Sequence, residues 1–584
     1  MGVTSALANA VLEPMVVVES RTPTPMSQAS PWVTRISAQD LDEKQVYNLA
    51  DALRSVPGMA VVRTGQMGAQ TSLFSRGAQS DHVTFLYEGR RLNGGFSGTY
   101  NLGQLSLNGV SSVEVLRGPS SVQYGAEGIG GAVMLRSRPH SEGLNWEMES
   151  GSNQSILNRV DYGFRESGWE GNVGTFLFTT ENEQPYSGFD NQSASFHLAR
   201  RVSKNLQFDV FGTGSGSDLY YPGNNKSPAY PVPGQFQEIE GFLLSPGAKL
   251  QVGEWDISAF YSYSEDHLTG KDRFSDTTYD TQTDAFDLQL NGELWKGWQV
   301  TIGGLYERDT FFKIDNSSSL VDINKKAESG SLFLLTTYSF EQSSSLSLGF
   351  RYDHFSDYGS ASNGSFLYEK EVWEGISLVS RYSTCFSPPQ ANDLYGMWGN
   401  PALESEKAKS WEVGILAQPN PMLNLRLSYF ETDFEDLIEW SGMTTSNVGA
   451  ARSRGLESSL EGMHENYSCK VSFSYLEAEN SMTHERLLRR PKMLGEFTLQ
   501  RADEISTIGM GVRVSYDVID LDGATWRRTK GDDFTVFRFY GNYYINDEIK
   551  LFGRIENLWD QDYEEVDGYQ ALGRTLHAGM AFSF

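Results

Sequence analysis

Several things are scarce in this chain of 584 residues, and each scarcity excludes something. Only two cysteines occur, Cys385 and Cys469, far apart in sequence. They frame neither a disulfide scaffold nor a zinc site. No apolar run is long enough for a membrane-crossing helix. Basic residues are outnumbered, 47 Lys and Arg against 75 Asp and Glu, for a formal net charge of -28. Nucleic acid, which needs a basic footprint, is excluded as a partner. The eight histidines are scattered. No Ser/His/Asp, paired-carboxylate or metal-ligand constellation emerges, so the reading is not an enzyme.

What the chain has is two regions of different grammar. Residues 36 to 138 read as a compact α+β unit. Ser37 opens "SAQDLDEKQV" with Asp40 in an approximate capping box. Asn48 precedes "LADALRSVPG", where Leu49, Ala52, Leu53 and Val56 recur at helical spacing and Pro57-Gly58 stops the helix. The short strands "MAVVR", "HVTFLYEG", "VSSVEVLRG" and "GAVMLRSR" follow. From about residue 144 the pattern turns to long strands of period two. In "SLSLGFRY", Leu346, Leu348, Phe350 and Tyr352 share one face, and Ser345, Ser347, Gly349 and Arg351 the other. Such segments number about 22, an even count, as single-chain outer-membrane barrels require. Short links (165–168, 341–344, 545–548) alternate with long ones (214–245, 308–328, 386–407). Leu576, Met580, Phe582 and Phe584 suit a closing, lipid-facing strand. Alternation averages out as hydrophilic, so the mean hydropathy of -0.41 does not exclude a membrane.

The stretch "LRGPSSVQYGAEGIGGAV" (116–133) is rich in glycine and carries Arg117. A phosphate loop would need Gly-Lys-Ser/Thr, which is absent, and the dinucleotide spacing lacks its third glycine. Glycine here serves tight turns and close packing. A lumen of about 22 strands must be filled, and the N-terminal unit is of the right size.

The ordered motifs "LADALRSVPGMAV", "SRGAQSDHVTFLYEGRRLN", "VEVLRGPSSVQYGAEGIGGAV", "NVGAARSRGLESSL" and "RIENLWDQDYEEVDGYQALGR" resemble the TonB-dependent outer-membrane receptors. "LYGMWGNPALESEK" resembles the cobalamin (vitamin B12) receptors of that family most. The resemblance implies an all-β membrane protein: a 22-stranded antiparallel barrel with an α+β plug in its lumen. The expected division is residual signal peptide 1–10 (with the small-x-small Ala8-Asn9-Ala10), TonB box and linker 11–35, plug 36–140, barrel 141–584. The expected place is the outer membrane of a Gram-negative bacterium, as a monomer in lipid, N-terminus periplasmic.

The same resemblance implies active uptake energised by TonB and its inner-membrane complex. Met15, Val16, Val17 and Val18 form the implied TonB box, an extended segment able to add to a partner's sheet edge. Arg76 and Arg117 are implied to latch the plug to Glu412 and Glu457 in a wet lumen. Cargo contacts are implied at Met67, Gln70, Thr71, Ser72, Phe96 and Ser97 of the plug, and at Tyr220, Tyr221 and Tyr569 of the loops. The expected cargo is cobalamin or another corrinoid; the alternative is an iron chelate, a ferric siderophore. The sequence offers no arginine cluster for an anionic siderophore, and residues 387 to 400 hold no histidine for haem. His82 reads as structural. No cofactor is required. Asp190 and Asp218 are the residue of an implied calcium site, short of the six to eight oxygens that calcium takes.

Overall fold

The computed structural model describes residues 14–92, 98, 100–137, 143–317, 320–340, 343–396, 399–440, 444–447 and 449–584. The implied signal peptide, Phe96 and Ser97 lie outside them. Among the described residues, 22 antiparallel strands close into one barrel, from Gly143–Gly151 to Thr575–Ser583. The first and last strands pair directly, Trp146 opposite Phe582. Closure leaves no strand edge in the membrane, where an open edge would have no hydrogen-bond partner.

Alternation sets the two faces. In Ser344–Phe355, Leu348, Phe350 and Tyr352 face outward and exposed, while Arg351 and Asp353 are buried inward. Near the periplasmic rim, Trp295, Trp298, Tyr338 and Phe340 meet edge to edge, with ring centroids 4.9, 5.8 and 4.7 Å apart. Amphipathic rings of this kind sit where hydrocarbon meets headgroups. No helix is long and apolar enough to cross a membrane.

Two of the expected long loops are largely strand. Residues 308–328 form a hairpin, Trp298–Asp315 against Leu320–Phe340. In 214–245 the strands run to Tyr220 and resume at Phe236. The two-residue period persists beyond the apolar belt with polar outer faces, so polarity alone misplaced the strand ends. The described residues of 388–405 do form a loop, with one turn of helix at Ala391–Tyr395. The two cysteines are free and lie at opposite ends of their strands, Ile376–Ser387 and Tyr467–Asn480.

The plug holds a five-stranded sheet in the order Val33–Ser37, Val110–Arg117, Gly131–Ser137, Val83–Tyr87, Arg90–Arg91. Helix α1 (Ala38–Glu43) starts in the full capping box of Ser37 and Asp40. Helix α2 (Leu49–Leu53) starts where the Asn48 side chain accepts from the Asp51 N–H. It is shorter than the spacing suggests. Val56 lies beyond it, yet packs with Leu49, Leu53, Val113 and Val133 in one core.

Candidate functional site

The implied latch residues come together across more than 300 residues of sequence. The Arg76 guanidinium grips Glu457 with two bonds, Nε to Oε1 and Nη2 to Oε2, both 2.7 Å. Its third nitrogen donates to Glu412 at 2.7 Å. Arg117 donates to Glu457 through Nη1 and to the Pro31 carbonyl at 2.6 Å. A fifth member, Arg381 of the barrel, donates to Glu412 and to the Arg117 carbonyl. Sequence reading missed it, because nothing distinguishes Arg381 from any other inward-facing charge. Phe430 and Trp32 lie flat against Arg76 and Arg381, 4.5 and 4.6 Å from the guanidinium carbons. The expectation of a wet, weak pairing is corrected here. Arg76, Arg117, Glu412 and Glu457 are at most 4% exposed. Taking one partner from such a buried network costs far more than breaking a surface pair.

Local chain chemistry makes the network possible. Gly118 has φ +75°, and a Cβ there would lie 2.6 Å from Arg76 Nη1 and 2.7 Å from Arg381 Nη2. The glycine-rich stretch thus brings backbone where a side chain would displace the arginines.

The implied TonB box is folded against the plug. Met15–Val16 pairs with Thr24–Pro25. Val16 and Val18 are buried beside Trp32, Leu116 and Met134. The Val17 and Val18 amides both donate to Glu114 Oε2, at 2.7 and 3.0 Å. The extended segment is held by one carboxylate and an apolar cleft.

Above the latch, His82 is fully buried, its Nε2 2.6 Å from Glu406 Oε2 of the barrel. Burial opposes the imidazolium, but Glu406 and Asp81 overcome it and raise His82 to about 9. His82 thus joins plug to barrel as a buried ion pair.

The implied cargo residues separate. Met67 lines a chamber of about 240 Å³ between plug and barrel. Gln70 and Ser72 are half-buried, and Thr71 has no accessible surface, its hydroxyl donating to the Ala69 carbonyl at 2.8 Å. Tyr220 points outward from its strand, 49% exposed. Tyr221 and Tyr569 sit on two loops that meet, joined by Asn225 N–H to the Gly568 carbonyl at 2.8 Å and by Lys226 with Asp567. Burial, with Asp272 and Tyr569 nearby, pushes the Tyr221 phenol up to about 12. Asp190 and Asp218 oppose each other across neighbouring strands on the outer face, away from the lumen. Among the described residues, the one cluster with metal-ligand spacing is Asp81, His82 and Glu406.

The chamber beside Met67 shows what sequence reading did not. Arg54, Arg63, Arg513, Arg538 and Arg554 line it, with Phe176, Phe178 and Phe189. Glu565, from the last extracellular loop, holds Arg54 at 2.9 Å and Arg513 at 3.1 Å and accepts the Arg63 amide at 2.8 Å. These arginines are spread over 500 residues, so no local cluster announces them.

A closed barrel filled by a plug, with a buried ionic seam between them, defines a gated outer-membrane transporter. Residues 247–558 match the model of the TonB dependent receptor-like β-barrel, and residues 25–132 that of the TonB-dependent receptor plug domain. The chain belongs to the TonB-dependent receptor family, an outer-membrane family of transporters. Solved structures agree in fold. The siderophore receptor PiuA of Acinetobacter baumannii aligns with TM-score 0.80 at 18% identity, over 96% of this chain and 98% of that one. A ferric enterobactin receptor of Pseudomonas aeruginosa, in complex with enterobactin, aligns at 0.82 and 17%, over 95% and 100%. The ferric-catecholate import receptor Fiu of E. coli K12 aligns at 0.82 and 16%, over 96% and 98%. Nothing in these comparisons points to the cobalamin receptor in particular.

Proposed function

We propose that this transporter imports a ferric siderophore, and that Met15–Val18 is the segment TonB grips. The arginine-lined chamber carries the reading. Iron chelates built from oxyanion donors are anionic, and guanidinium groups meet such oxygens with paired, charge-assisted bonds. Five arginines with three phenylalanines on one wall suit an anionic, aromatic chelate. The carboxylates Asp51, Glu496, Glu556 and Glu565 share that lining, and Glu565 holds two of the arginines in place. The similar structures above, receptors of siderophores or ferric catecholates, lie on the same side of the choice. A corrinoid gains little from five cations; only the Tyr221–Tyr569 apposition favours it, by offering flat rings with hydroxyls.

Tryptophan quenching of the purified protein by ferric enterobactin and by cyanocobalamin decides between them. Quenching by the ferric catecholate, weakened in R513A, is the expected result. Quenching by cyanocobalamin alone would overturn the siderophore reading.

A further inference from the structure

Two cavities approach each other along one seam between plug and barrel. One, of about 550 Å³, opens at the periplasmic turn Ser203-Lys204-Asn205. The other, of about 100 Å³, reaches the extracellular loop residues Tyr358 and Tyr395. Arg91 and Glu307 line both. Among the described residues, these two are the ones the linings of the two spaces share. Arg91 of the plug lies 3.6 Å from Glu127 of the plug and 3.9 Å from Glu307 of the barrel. It stands on the edge hairpin of the plug sheet, where Leu86 pairs with Arg91 and Tyr87 with Arg90, and the Leu92 amide donates to the Phe85 carbonyl at 2.8 Å. Among the described residues this strand is the edge of the sheet, paired on one side.

The same contact is tied to the N-terminal segment. Arg21, three residues past the implied TonB box, donates to the Gln123 carbonyl at 3.0 Å and to Asp287 of the barrel at 2.6 Å. The Gln123 side chain donates back to the Glu19 carbonyl at 3.0 Å. One residue on, the Tyr124 carbonyl accepts from Arg91 at 3.4 Å. Glu127 follows at φ +70°, in the left-handed region, between Gly125 and Gly128. Residues 19–21, 123–127 and 91 are therefore linked in series. Displacing the first displaces the carbonyl and the carboxylate that hold the last.

We propose that cargo crosses the barrel along this seam, that Arg91 bridging Glu127 and Glu307 closes it, and that tension on residues 15–21 opens it through residues 123–127. The inference concerns the route and its gate, and holds whichever cargo the receptor takes.

The test uses the full chain and needs no cargo. In proteoliposomes, swelling in stachyose should be slow for the wild type and several-fold faster for R91A and E307A. R91K, which keeps the charge, should stay near wild type. K470A breaks a different ion pair between barrel and plug, that of Lys470 with Asp40, on a strand eight away from that of Glu307, and should also stay near wild type. Equal swelling of R91A, K470A and the wild type would overturn the gate. A second readout does not depend on R91A folding normally. With Cys385 and Cys469 replaced by serine, A285C places a thiol on the periplasmic cavity. A maleimide too large for porins, added to whole cells, should label it faster when TonB is present, and R21A should remove the difference. Labelling indifferent to TonB would sink the coupling.

Discussion

Arg76 of the plug and Glu457 of the barrel share two parallel hydrogen bonds of 2.7 Å, with 4% and 2% of their surfaces exposed. Bidentate geometry fixes orientation as well as distance. The plug is therefore set in register by a bond that water does not weaken. The tension proposed at Met15–Val18, far away, has to reach or bypass it.

Removing Glu457 leaves Arg76 and Arg117 buried with Glu412 alone to balance them. E457A should lower the stability of plug docking by about 3–5 kcal/mol. Differential scanning calorimetry of the detergent-solubilised protein checks this. The double variant E457A/R117A should be less destabilised than the sum of its parts, because the second change removes the stranded cation.

Gly118 reaches the same network through the backbone. G118A forces a Cβ within 2.7 Å of two guanidinium nitrogens, at a φ that costs about 1–2 kcal/mol for any L side chain. Loss of plug stability comparable to that of a latch variant, with the barrel's heat-modifiable migration unchanged, is the expected outcome.

His82 makes the plug sensitive to alkali. Its ordinary value of 6.5 is raised to about 9 in the fold: burial and Arg490 lower it, and the Glu406 and Asp81 carboxylates raise it by more. A raised value means stability that is complete below about 6.5 and lost as pH climbs through about 9. The unfolding free energy from calorimetry should fall between these limits with a slope approaching about 1.4 kcal/mol per pH unit. H82Q should remove that slope; an unchanged slope would assign it to another group.

Deleting residues 12–20 should abolish uptake and spare binding at the cell surface. In the proposed reading, binding rests on the loops and chamber, and uptake on the pulled segment. E114A, which removes the acceptor for the Val17 and Val18 amides, should do the reverse of sequestering. It should raise the affinity of the TonB C-terminal domain for the cargo-free receptor in calorimetry.

Much of this was legible in the sequence, and particular residues show why. Leu346, Leu348 and Phe350 alternate within one strand, so the outer face of the barrel can be read locally. Ser37 with Asp40, and Asn48 before Leu49, mark helix starts by hydrogen bonds spanning three residues. The strand ends near 308–328 were not legible, because a strand above the membrane is polar on both faces. Resemblance supplied Arg76, Arg117, Glu412 and Glu457, which no local pattern joins.

The sequence by itself determined the barrel, the plug and the family, since alternation, capping and motif order are properties of neighbours along the chain. Only the tertiary structure decided the depth of the latch, the docking of Val16 and Val18, and the chamber of Arg54, Arg63, Arg513, Arg538 and Arg554. It also decided the meeting of Arg91 with Glu307. Those depend on burial and on contacts between residues hundreds of positions apart, which exist only once the barrel has closed around its plug.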